Sequence, residues 1–144
     1  MQVTVEKVDS QADFAICMAI RMEVFVFEQN VPADVEWDAH DREATHFYAR
    51  ADGKPAATAR LRDAGEGIAK IERMAVLRQH RGKHVGEVLL QHVMGHARAQ
   101  GFTQVKISAQ SHAISFYERL GFTVTSDEYI EAGIPHKAME KLLS

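Results

Sequence analysis

Three consecutive segments with alternating apolar and polar residues limit the folds that this chain can adopt. They cover residues 45–52, 55–63 and 68–77. The turn at Asp52-Gly53-Lys54 favours a hairpin between the first two, because glycine readily takes the positive φ that a tight turn needs. A second glycine-containing turn, at residues 64–67, leads into the third segment. The pattern therefore predicts three antiparallel strands in succession.

A helical segment and a further strand follow these three strands. Residues 85–100 have apolar side chains at helical spacing and end at Gly101, a typical helix C-cap. The apolar positions are Val85, Leu89, Val93 and Ala97. Residues 103–109 then alternate as a strand. Because a connecting helix allows two strands to lie parallel, the pattern predicts a mixed sheet.

The start of the chain predicts one strand and one helix. Val3 and Val5 alternate with polar residues, and Ser10 is a candidate helix N-cap before an apolar stripe. The stripe consists of Phe14, Cys17, Met18, the aliphatic part of Arg21, Val24 and Phe25. The helical pattern breaks from residue 29 to residue 42, where we expect a shaped loop or a short helix over a pocket.

The end of the chain completes the order of elements. Residues 111–120 predict a short helix, and strands are expected near 122–125 and 136–142. We expect a single α+β domain, an α/β sandwich, over residues 1–144 in the order β-α-β-β-β-α-β-α-β-β. Its central sheet should be mixed, largely antiparallel and flanked by helices.

Charge and cysteine content limit the partners. The chain has 17 Lys and Arg against 20 Asp and Glu, a net charge of -3 and an isoelectric point near 6.2. This charge balance gives little reason to bind nucleic acid or an anionic membrane, so a small-molecule partner is expected. No targeting or membrane-spanning pattern is evident in the sequence. The lone Cys17 excludes an intrachain disulfide and favours the reducing cytoplasm. Its place on the apolar stripe favours a buried thiol over a nucleophile.

The clearest indication of ligand binding is a basic segment with two glycines. It lies between a predicted strand and a predicted helix. Residues 78–86 read Arg-Gln-His-Arg-Gly-Lys-His-Val-Gly. The first turn of a helix exposes unpaired N–H groups at the positive end of the helix dipole, and glycines let a ligand approach the backbone. Arg78, Arg81 and Lys83 add positive charge suited to phosphate groups. The segment predicts a pyrophosphate-binding loop, with an ordinary basic connection as the alternative.

Residues 81–86 resemble the Arg/Gln-x-x-Gly-x-Gly/Ala loop of the GNAT acyltransferase superfamily. The strand before it, residues 73–76, and the segment Ala-Ile-Ser-Phe-Tyr-Glu-Arg-Leu-Gly-Phe at residues 113–122 are similar to other parts of the same family pattern. Further motifs are similar to the ElaA- and YjcF-like branch: Arg21-x-x-Val24-Phe25-Val26-x-Glu28-Gln29, Glu36-x-Asp38-x-x-Asp41, His46 and the segment 131–136. The resemblance covers nearly the whole chain.

The resemblance implies acetyl-CoA as co-substrate, with its pyrophosphate on the loop and its pantetheine along the preceding strand. The implied cofactor-binding residues are Met74, Ala75, Val76, Arg81, Gly82, Lys83, His84, Val85, Gly86, Gln110 and Phe116. Two of them depart from the family pattern. His84 replaces a small residue, and we expect its side chain to point away from the ligand. Gln110 stands where many members have an asparagine that contacts the cofactor.

The resemblance places the thioester near Tyr117, which would protonate or hydrogen-bond the leaving thiolate. Direct attack also needs a base, because an alkylammonium group is almost fully protonated at neutral pH. Glu72 is the candidate base, since it shares a strand face with the predicted pantetheine contacts. An ion pair with Lys70 or a neighbouring-strand arginine is the alternative role. The backbone N–H of Ala75 or Val76 is the candidate oxyanion donor.

The acceptor pocket is predicted from the branch motifs. The candidate residues are Arg21, Phe25, Glu28, Gln29, His46 and His136. The acidic residues Glu36, Asp38 and Asp41 would form either an acidic rim that attracts a cationic amine or a solvated acidic loop. His92 and His96 have the spacing of a metal-binding pair, but no third ligand is evident, so we expect no metal.

These observations predict an acetyl-CoA-dependent N-acetyltransferase that transfers an acetyl group directly to a primary amine of a small molecule. One alternative is an acyl-homoserine-lactone-synthase-like acyltransferase, because that class shares the scaffold and similar motifs in the first half. Another is a non-catalytic acyl-CoA-binding regulator. Neither nucleic acid nor membrane is expected as a partner, and a homodimer is left open.

Overall fold

The fold is described for residues 1–143 of a computed structural model. The strands are β1 (Val3–Lys7), β2 (Thr45–Ala51), β3 (Lys54–Gly65), β4 (Ile68–Val76), β5 (Gln104–Gln110), β6 (Thr123–Val124), β7 (Tyr129–Glu131) and β8 (Ile134–Leu142). The α-helices are α1 (Gln11–Arg21), α2 (Ala33–Glu36), α3 (Val85–Ala99) and α4 (Ile114–Arg119). A π-helical segment, Met22–Glu28, continues directly from α1.

The eight strands form one sheet in the order β1-β2-β3-β4-β5-β8-β6, and β7 also pairs with β8. β4 and β5 are parallel and are connected through α3, whereas the other paired strands are antiparallel. The predicted α+β class and mixed, largely antiparallel sheet are therefore confirmed. The predicted order of elements is also found, with the short helix α2 and the short strand β7 as additions.

Local sequence signals explain where several elements begin and end. Ser10 caps α1, since its Oγ accepts a hydrogen bond from the backbone N–H of Asp13 at 3.1 Å. Asp52 and Gly53 both have positive φ, as a tight hairpin turn requires. The first helix does not stay α-helical along the predicted stripe. The backbone N–H of Gln29 bonds the carbonyl of Val24 at 3.1 Å, the wider spacing of a π-helix.

Helices cover both faces of the sheet. Phe47 and Tyr48 are neighbours on β2 and so point to opposite faces. The Phe47 ring meets the His96 ring of α3 edge-on at 5.2 Å, whereas the Tyr48 hydroxyl bonds Asp13 of α1 at 3.1 Å. α1 and α3 therefore lie on opposite sides of β2. The sandwich explains why most of β2 and β3 is buried on both faces.

A bulge in β4 opens the sheet next to β5. The β3–β4 register passes from Arg60 opposite Glu72 to Thr58 opposite Ala75, so β4 has one extra residue there. Arg73 lies in this bulge with a φ of +54°. Parallel pairing of β4 with β5 ends just before it, at Ile71. Because a bulge bends the strand that carries it, the two strands diverge and leave a cleft.

Candidate active site

The cleft between the diverging ends of β4 and β5 is a cavity of about 1240 Å³. Its walls come from the π-helical segment, β4, the loop before α3, the end of β5, α4 and the β7–β8 turn. Sites for drug-sized ligands usually measure roughly 300–1,000 Å³. The cavity therefore has room for an extended chain and a second small molecule.

Most of the predicted site residues lie in the wall of this cavity. Those that do are Phe25, Glu28, Gln29, Glu72, Met74, Ala75, Val76, Arg81, Gly82, His84, Val85, Gly86, Gln110, Phe116, Tyr117 and His136. Arg21, His46 and Lys83 are not part of the wall. The loop, β4, β5 and α4 are thus brought together around one space.

The N terminus of α3 opens into the cavity without a cap. Among residues 1–143, no side chain bonds the first N–H groups of this helix. The preceding backbone turns through two residues with positive φ, Gly82 at +74° and His84 at +63°. Unpaired N–H groups at a helix N terminus attract anions. The loop therefore has the donors that a pyrophosphate needs.

Gly86 and His80 fit the same interpretation. A Cβ added to Gly86 would lie 3.3 Å from Val76 Cγ2 and 3.5 Å from Phe116 Cζ, so a side chain at this position would crowd Val76. The Nδ1 atom of His80 is buried and finds no hydrogen-bond partner among the described residues, and His80 lines the cavity. An unpaired buried polar atom beside an uncapped helix is consistent with a polar ligand at this position.

The charged side chains of the loop do not all face the cavity. Arg81 bonds both carboxylate oxygens of Glu28, at 2.7 and 2.8 Å, and its Nε donates to the carbonyl of Val76 at 2.9 Å. Lys83 is exposed outside the wall. The His84 side chain is 83% exposed, with Nδ1 3.2 Å from Glu87. Backbone N–H groups, rather than free cations, dominate the cavity side of the loop.

β4 offers an unpaired backbone edge to the cleft. Ala75 and Val76 pair with Thr58 and Ala57 of β3 along one edge. In the part of the chain that the structure describes, the opposite edge has no strand partner beyond Ile71. N–H and C=O groups on that edge are free to bond an extended ligand. An oxyanion role for the N–H of Ala75 or Val76 stays a prediction.

Tyr117 lies in an aromatic cluster at the wall of the cavity. Its ring meets those of Phe116 and Phe122 edge-on, with centroids 5.1 and 5.7 Å apart. Burial raises the pKa of the Tyr117 hydroxyl. That hydroxyl bonds no other group within residues 1–143, so it is a protonated donor still available to a ligand.

Glu72 is held in ion pairs. Its carboxylate accepts from Arg62 Nε at 2.7 Å and from Arg60 Nη2 at 3.0 Å, and Lys70 Nζ lies 3.5 Å away. Burial raises the pKa of Glu72, but the hydrogen bond from Arg62 and the charges of Arg60 and Lys70 outweigh it, so the pKa is lowered. A carboxylate stabilised in this way is a weak base, and the geometry favours the ion-pair role over general-base catalysis.

The acidic segment is neither an open rim nor a solvated loop, because buried arginines occupy its carboxylates. Arg21 donates to Glu36 at 2.7 Å and to Asp41 at 2.7 Å. Arg60 donates to Asp41 at 2.9 Å and to Asp38 at 2.7 Å. Both arginines are 1% exposed. Both predicted alternatives, an acidic rim that attracts a cationic amine and a solvated acidic loop, are therefore corrected.

Arg21 and His46 are structural residues. Arg21 holds the segment after the π-helix against the sheet through the ion pairs above. His46 is buried, with Nε2 2.9 Å from the carbonyl oxygen of Asp41 and its ring edge-on to Phe14. The prediction that Arg21 and His46 bind substrate is corrected on this ground, since both are enclosed away from the cavity.

Gln29 and Gln110 link the two sides of the cavity. The Gln110 Nε2 donates to Gln29 Oε1 at 2.8 Å, and the Gln29 Nε2 lies 3.3 Å from Gln110 Oε1. Gln110 lies at the end of β5, where the resemblance implies a cofactor contact. In this structure its amide is satisfied by the residue that follows the π-helical segment.

Two polar residues of the cavity wall were not predicted from the sequence. Ser108, from β5, and Glu131, from β7, both line the cavity near His136. Glu131 stands in a branch motif, which was the available signal, but no role was assigned to it. Ser108 gave no signal beyond its place in a strand. Within residues 1–143, no group of three or more His, Cys, Asp or Glu is arranged to hold a metal ion.

Known proteins share this architecture. The chain matches the family described as Acetyltransferase (GNAT) domain over residues 5–143. It is 38% identical over 123 residues to the uncharacterized N-acetyltransferase YjcF of Bacillus subtilis (strain 168), covering 85% of this chain and 87% of that protein. An acyl-CoA N-acyltransferase from Pseudomonas aeruginosa has a TM-score of 0.82 at 31% identity, covering 98% and 99% of the two chains. Escherichia coli ElaA has a TM-score of 0.85 at 26% identity, covering 97% and 99%.

Three observations together define the class of this enzyme. They are the uncapped N terminus of α3, the cleft beside β4 and the matches to known acetyltransferases. The chain belongs to the GNAT acetyltransferase family, in its ElaA- and YjcF-like branch. It is an acyltransferase, and GNAT enzymes generally use acetyl-CoA as co-substrate. No helix of residues 1–143 has the length and apolar character needed to cross a membrane.

Proposed function

We propose that this single domain is an acetyl-CoA-dependent N-acetyltransferase that transfers an acetyl group directly to a primary amine of a small molecule. The observation that carries the proposal is one cavity that combines an uncapped helix N terminus with a buried, unbonded tyrosine hydroxyl. The first feature suits an anionic cofactor, and the second suits a leaving thiolate. The lone, buried Cys17 supports a reducing cytoplasmic setting.

The chain's own residues would hold acetyl-CoA along two elements. The N–H groups of residues 82–86 would bind the pyrophosphate, and the free edge of β4 at Met74–Val76 would pair with the amide groups of pantetheine. Phe116 lies against Gly86 and would border the same path. When bound, acetyl-CoA supplies the activated acetyl group as a thioester.

Tyr117 would act on the leaving group. Its O–H can donate to the sulfur as negative charge develops there, and the raised pKa keeps the hydroxyl protonated throughout the neutral range. A backbone N–H of Ala75 or Val76 would donate to the carbonyl oxygen in the transition state. Both donors belong to regular secondary structure, Ala75 and Val76 to β4 and Tyr117 to α4.

The test is acetyl-CoA turnover, measured as released thiol, against amines, amino acids, polyamines, aminosugars and peptides. We expect turnover with at least one primary amine and a loss of about 10- to 100-fold in Tyr117→Phe with unchanged CoA affinity. Tyr48→Phe is the matched control, because the Tyr48 hydroxyl bonds Glu6 and Asp13 outside the cavity. Glu72→Gln should keep most of its activity. An unimpaired Tyr117→Phe variant would remove the proposed role of that hydroxyl.

Absence of turnover with every class of acceptor, despite tight CoA binding, would favour a non-catalytic acyl-CoA-binding regulator. Turnover with long acyl chains but not with acetyl would favour the acyl-homoserine-lactone-synthase-like alternative.

A further inference from the structure

Four polar residues form a connected group where β5, β7 and β8 meet, here called the hairpin cluster. Its members are Ser108, Tyr129, Glu131 and His136. The Ser108 hydroxyl bonds the Tyr129 hydroxyl and lies 3.4 Å from each Glu131 oxygen. The Tyr129 ring stacks on the His136 ring at 6.1 Å with an interplanar angle of 18°. Ser108, Glu131 and His136 line the cavity.

One hydrogen bond determines which ring nitrogen of His136 is free. Nδ1 lies 2.7 Å from the carbonyl oxygen of Ile134. A carbonyl only accepts, so Nδ1 carries the hydrogen and the neutral ring has its lone pair on Nε2. Nε2 is 3.7 Å from Glu131 Oε2, and the side chain is 7% exposed. Its cross-strand neighbours are Gln110 on β5 and Tyr129 on β7, so neither adds a positive charge.

Glu131 differs from the other carboxylates of the cavity. Glu28, Glu36 and Glu72 are each paired with arginine. Glu87 lies beside His84 at the loop before α3. Within residues 1–143, no Lys or Arg pairs with Glu131, whose nearest titratable neighbour is His136, and half of the Glu131 side chain is exposed. Glu131 is therefore the carboxylate on the β5–β8 side of the cavity that can receive an external cation.

We propose that the hairpin cluster is the acceptor subsite, in which Glu131 binds the ammonium group of a small primary alkylamine and His136 Nε2 accepts its proton. This inference rests on the proposed acetyltransferase function. It supplies the base that Glu72, with its three cationic neighbours, is poorly placed to provide. A neutral imidazole with a free, oriented nitrogen is the group most often used for this task.

The step balances in atoms and charge. The acceptor R-NH3+ gives one proton to His136 Nε2, and the resulting imidazolium lies beside the Glu131 carboxylate. The neutral nitrogen forms a C–N bond with the acetyl carbon, and the C–S bond breaks with its electron pair on sulfur. A second N–H proton passes to that sulfur through the Tyr117 hydroxyl. His136 then releases the first proton to solvent, so the products are R-NH-CO-CH3, CoA-SH and H+.

The variants separate binding from proton transfer. Glu131→Gln keeps the shape of the side chain and removes its charge. His136→Asn keeps a donor near Nδ1 for the Ile134 carbonyl and removes Nε2. Glu128→Gln and His92→Gln are the matched controls, because both positions lie outside the cavity wall. CoA affinity, measured by calorimetry for each variant, verifies that the protein is folded.

The experiment measures turnover with butylamine, benzylamine and spermidine as probes, together with 15N spectra of the histidine rings. We expect Glu131→Gln to raise KM for the amine at least tenfold with little change in KM for acetyl-CoA. We expect His136→Asn to lower kcat about 100-fold, and His136 of the wild-type protein to give the spectrum of a neutral ring protonated at Nδ1. Variants that match their controls, or a ring protonated at Nε2 alone, would overturn the inference and leave the proposed function intact. Absence of turnover by the wild-type protein with these probes and the wider panel would overturn both.

Discussion

Glu28 and Arg81 form a two-point ion pair, with Nη1 to Oε2 at 2.7 Å and Nη2 to Oε1 at 2.8 Å. The hydrogen bond from Arg81 lowers the pKa of the Glu28 carboxyl. The pair joins the last residue of the π-helical segment to the loop before α3. Since Arg81 also bonds the carbonyl of Val76, the same guanidinium connects the end of β4 to both elements. The pair thus fixes the shape of the cavity mouth.

The effects on stability of removing Glu28 and of removing Arg81 should not be additive. In a cycle of Glu28→Gln, Arg81→Gln and the double variant, we expect a coupling in the free energy of unfolding of up to about 1 kcal/mol, because the side chains are partly exposed. Urea denaturation measures it. The pair Lys106 and Glu140, joined by one contact at 3.2 Å, is the control and should couple less. Additive effects for Glu28 and Arg81 would contradict the proposed connection.

Replacement of two glycines of α3 by alanine should have different effects on stability and on CoA binding. Gly95 has open space around a would-be Cβ, so Gly95→Ala should stabilise the protein by up to about 1 kcal/mol. Gly86→Ala would press a methyl group against Val76 and Phe116. It should therefore not give the increase in stability that is expected for Gly95→Ala. We also expect it to weaken CoA binding about tenfold, measured by calorimetric titration. Equal CoA affinities for the two variants would argue against Gly86 as part of the cofactor surface.

Acid should remove the contribution of Asp41 to stability. Burial raises the pKa of Asp41, but hydrogen bonds from Arg21 and Arg60 outweigh it and lower the pKa to about 2. Because the folded state then binds protons less readily than the unfolded state, this contribution is complete above about pH 5 and is lost as the pH falls towards 2. The full contribution is roughly 2 kcal/mol, of which about 1 kcal/mol is lost between pH 5 and pH 3.

Asp41→Asn tests this pH dependence. Denaturant unfolding from pH 7 to pH 3 should show a loss of about 3 kcal/mol at neutral pH, because two buried arginines lose a charged partner. The variant should also show a shallower decline in acid. Asp34→Asn, at an exposed position of α2, is the control and should follow the wild-type curve. Parallel acid profiles for wild type and Asp41→Asn would contradict the ion-pair account.

Short-range patterns were sufficient to predict most elements and the loop. The Ser10 cap, the hairpin at Asp52 and Gly53, and the glycines before α3 each depend on residues within a few positions of one another. These elements were predictable because their physical causes are local. The family resemblance added a cofactor path along β4, which stays a prediction.

The remaining features depend on contacts between distant residues. Arg73 adopts a positive φ that nothing in its sequence neighbourhood signals, and its guanidinium bonds the backbone carbonyl of Glu36 and the carboxylate of Asp38. Arg60 reaches the acidic segment from a strand about twenty residues further along the chain. Which carboxylates stay free, and so could meet a cationic substrate, follows only from these pairings. Glu131 was overlooked for that reason.

Cys17 should take no part in transfer. It is 0% exposed, its Sγ lies 3.6 Å from the carbonyl oxygen of Phe47, and burial raises the pKa of its thiol. Ellman's reagent should therefore modify the native protein far more slowly than the denatured protein. Cys17→Ala should transfer acetyl groups within about twofold of the wild-type rate, although it creates a small cavity and loses about 1 kcal/mol of stability. Rapid labelling of the native thiol would contradict its enclosed position.

Direct transfer to an amine is the central claim, and mass spectrometry of one reaction mixture tests it most directly. The protein is incubated with acetyl-CoA, first alone and then with an amine that supports turnover. We predict an unmodified protein mass in both cases, and acetylated amine equal in amount to the CoA released. An acetylated protein that forms without amine and disappears when amine is added would contradict direct transfer.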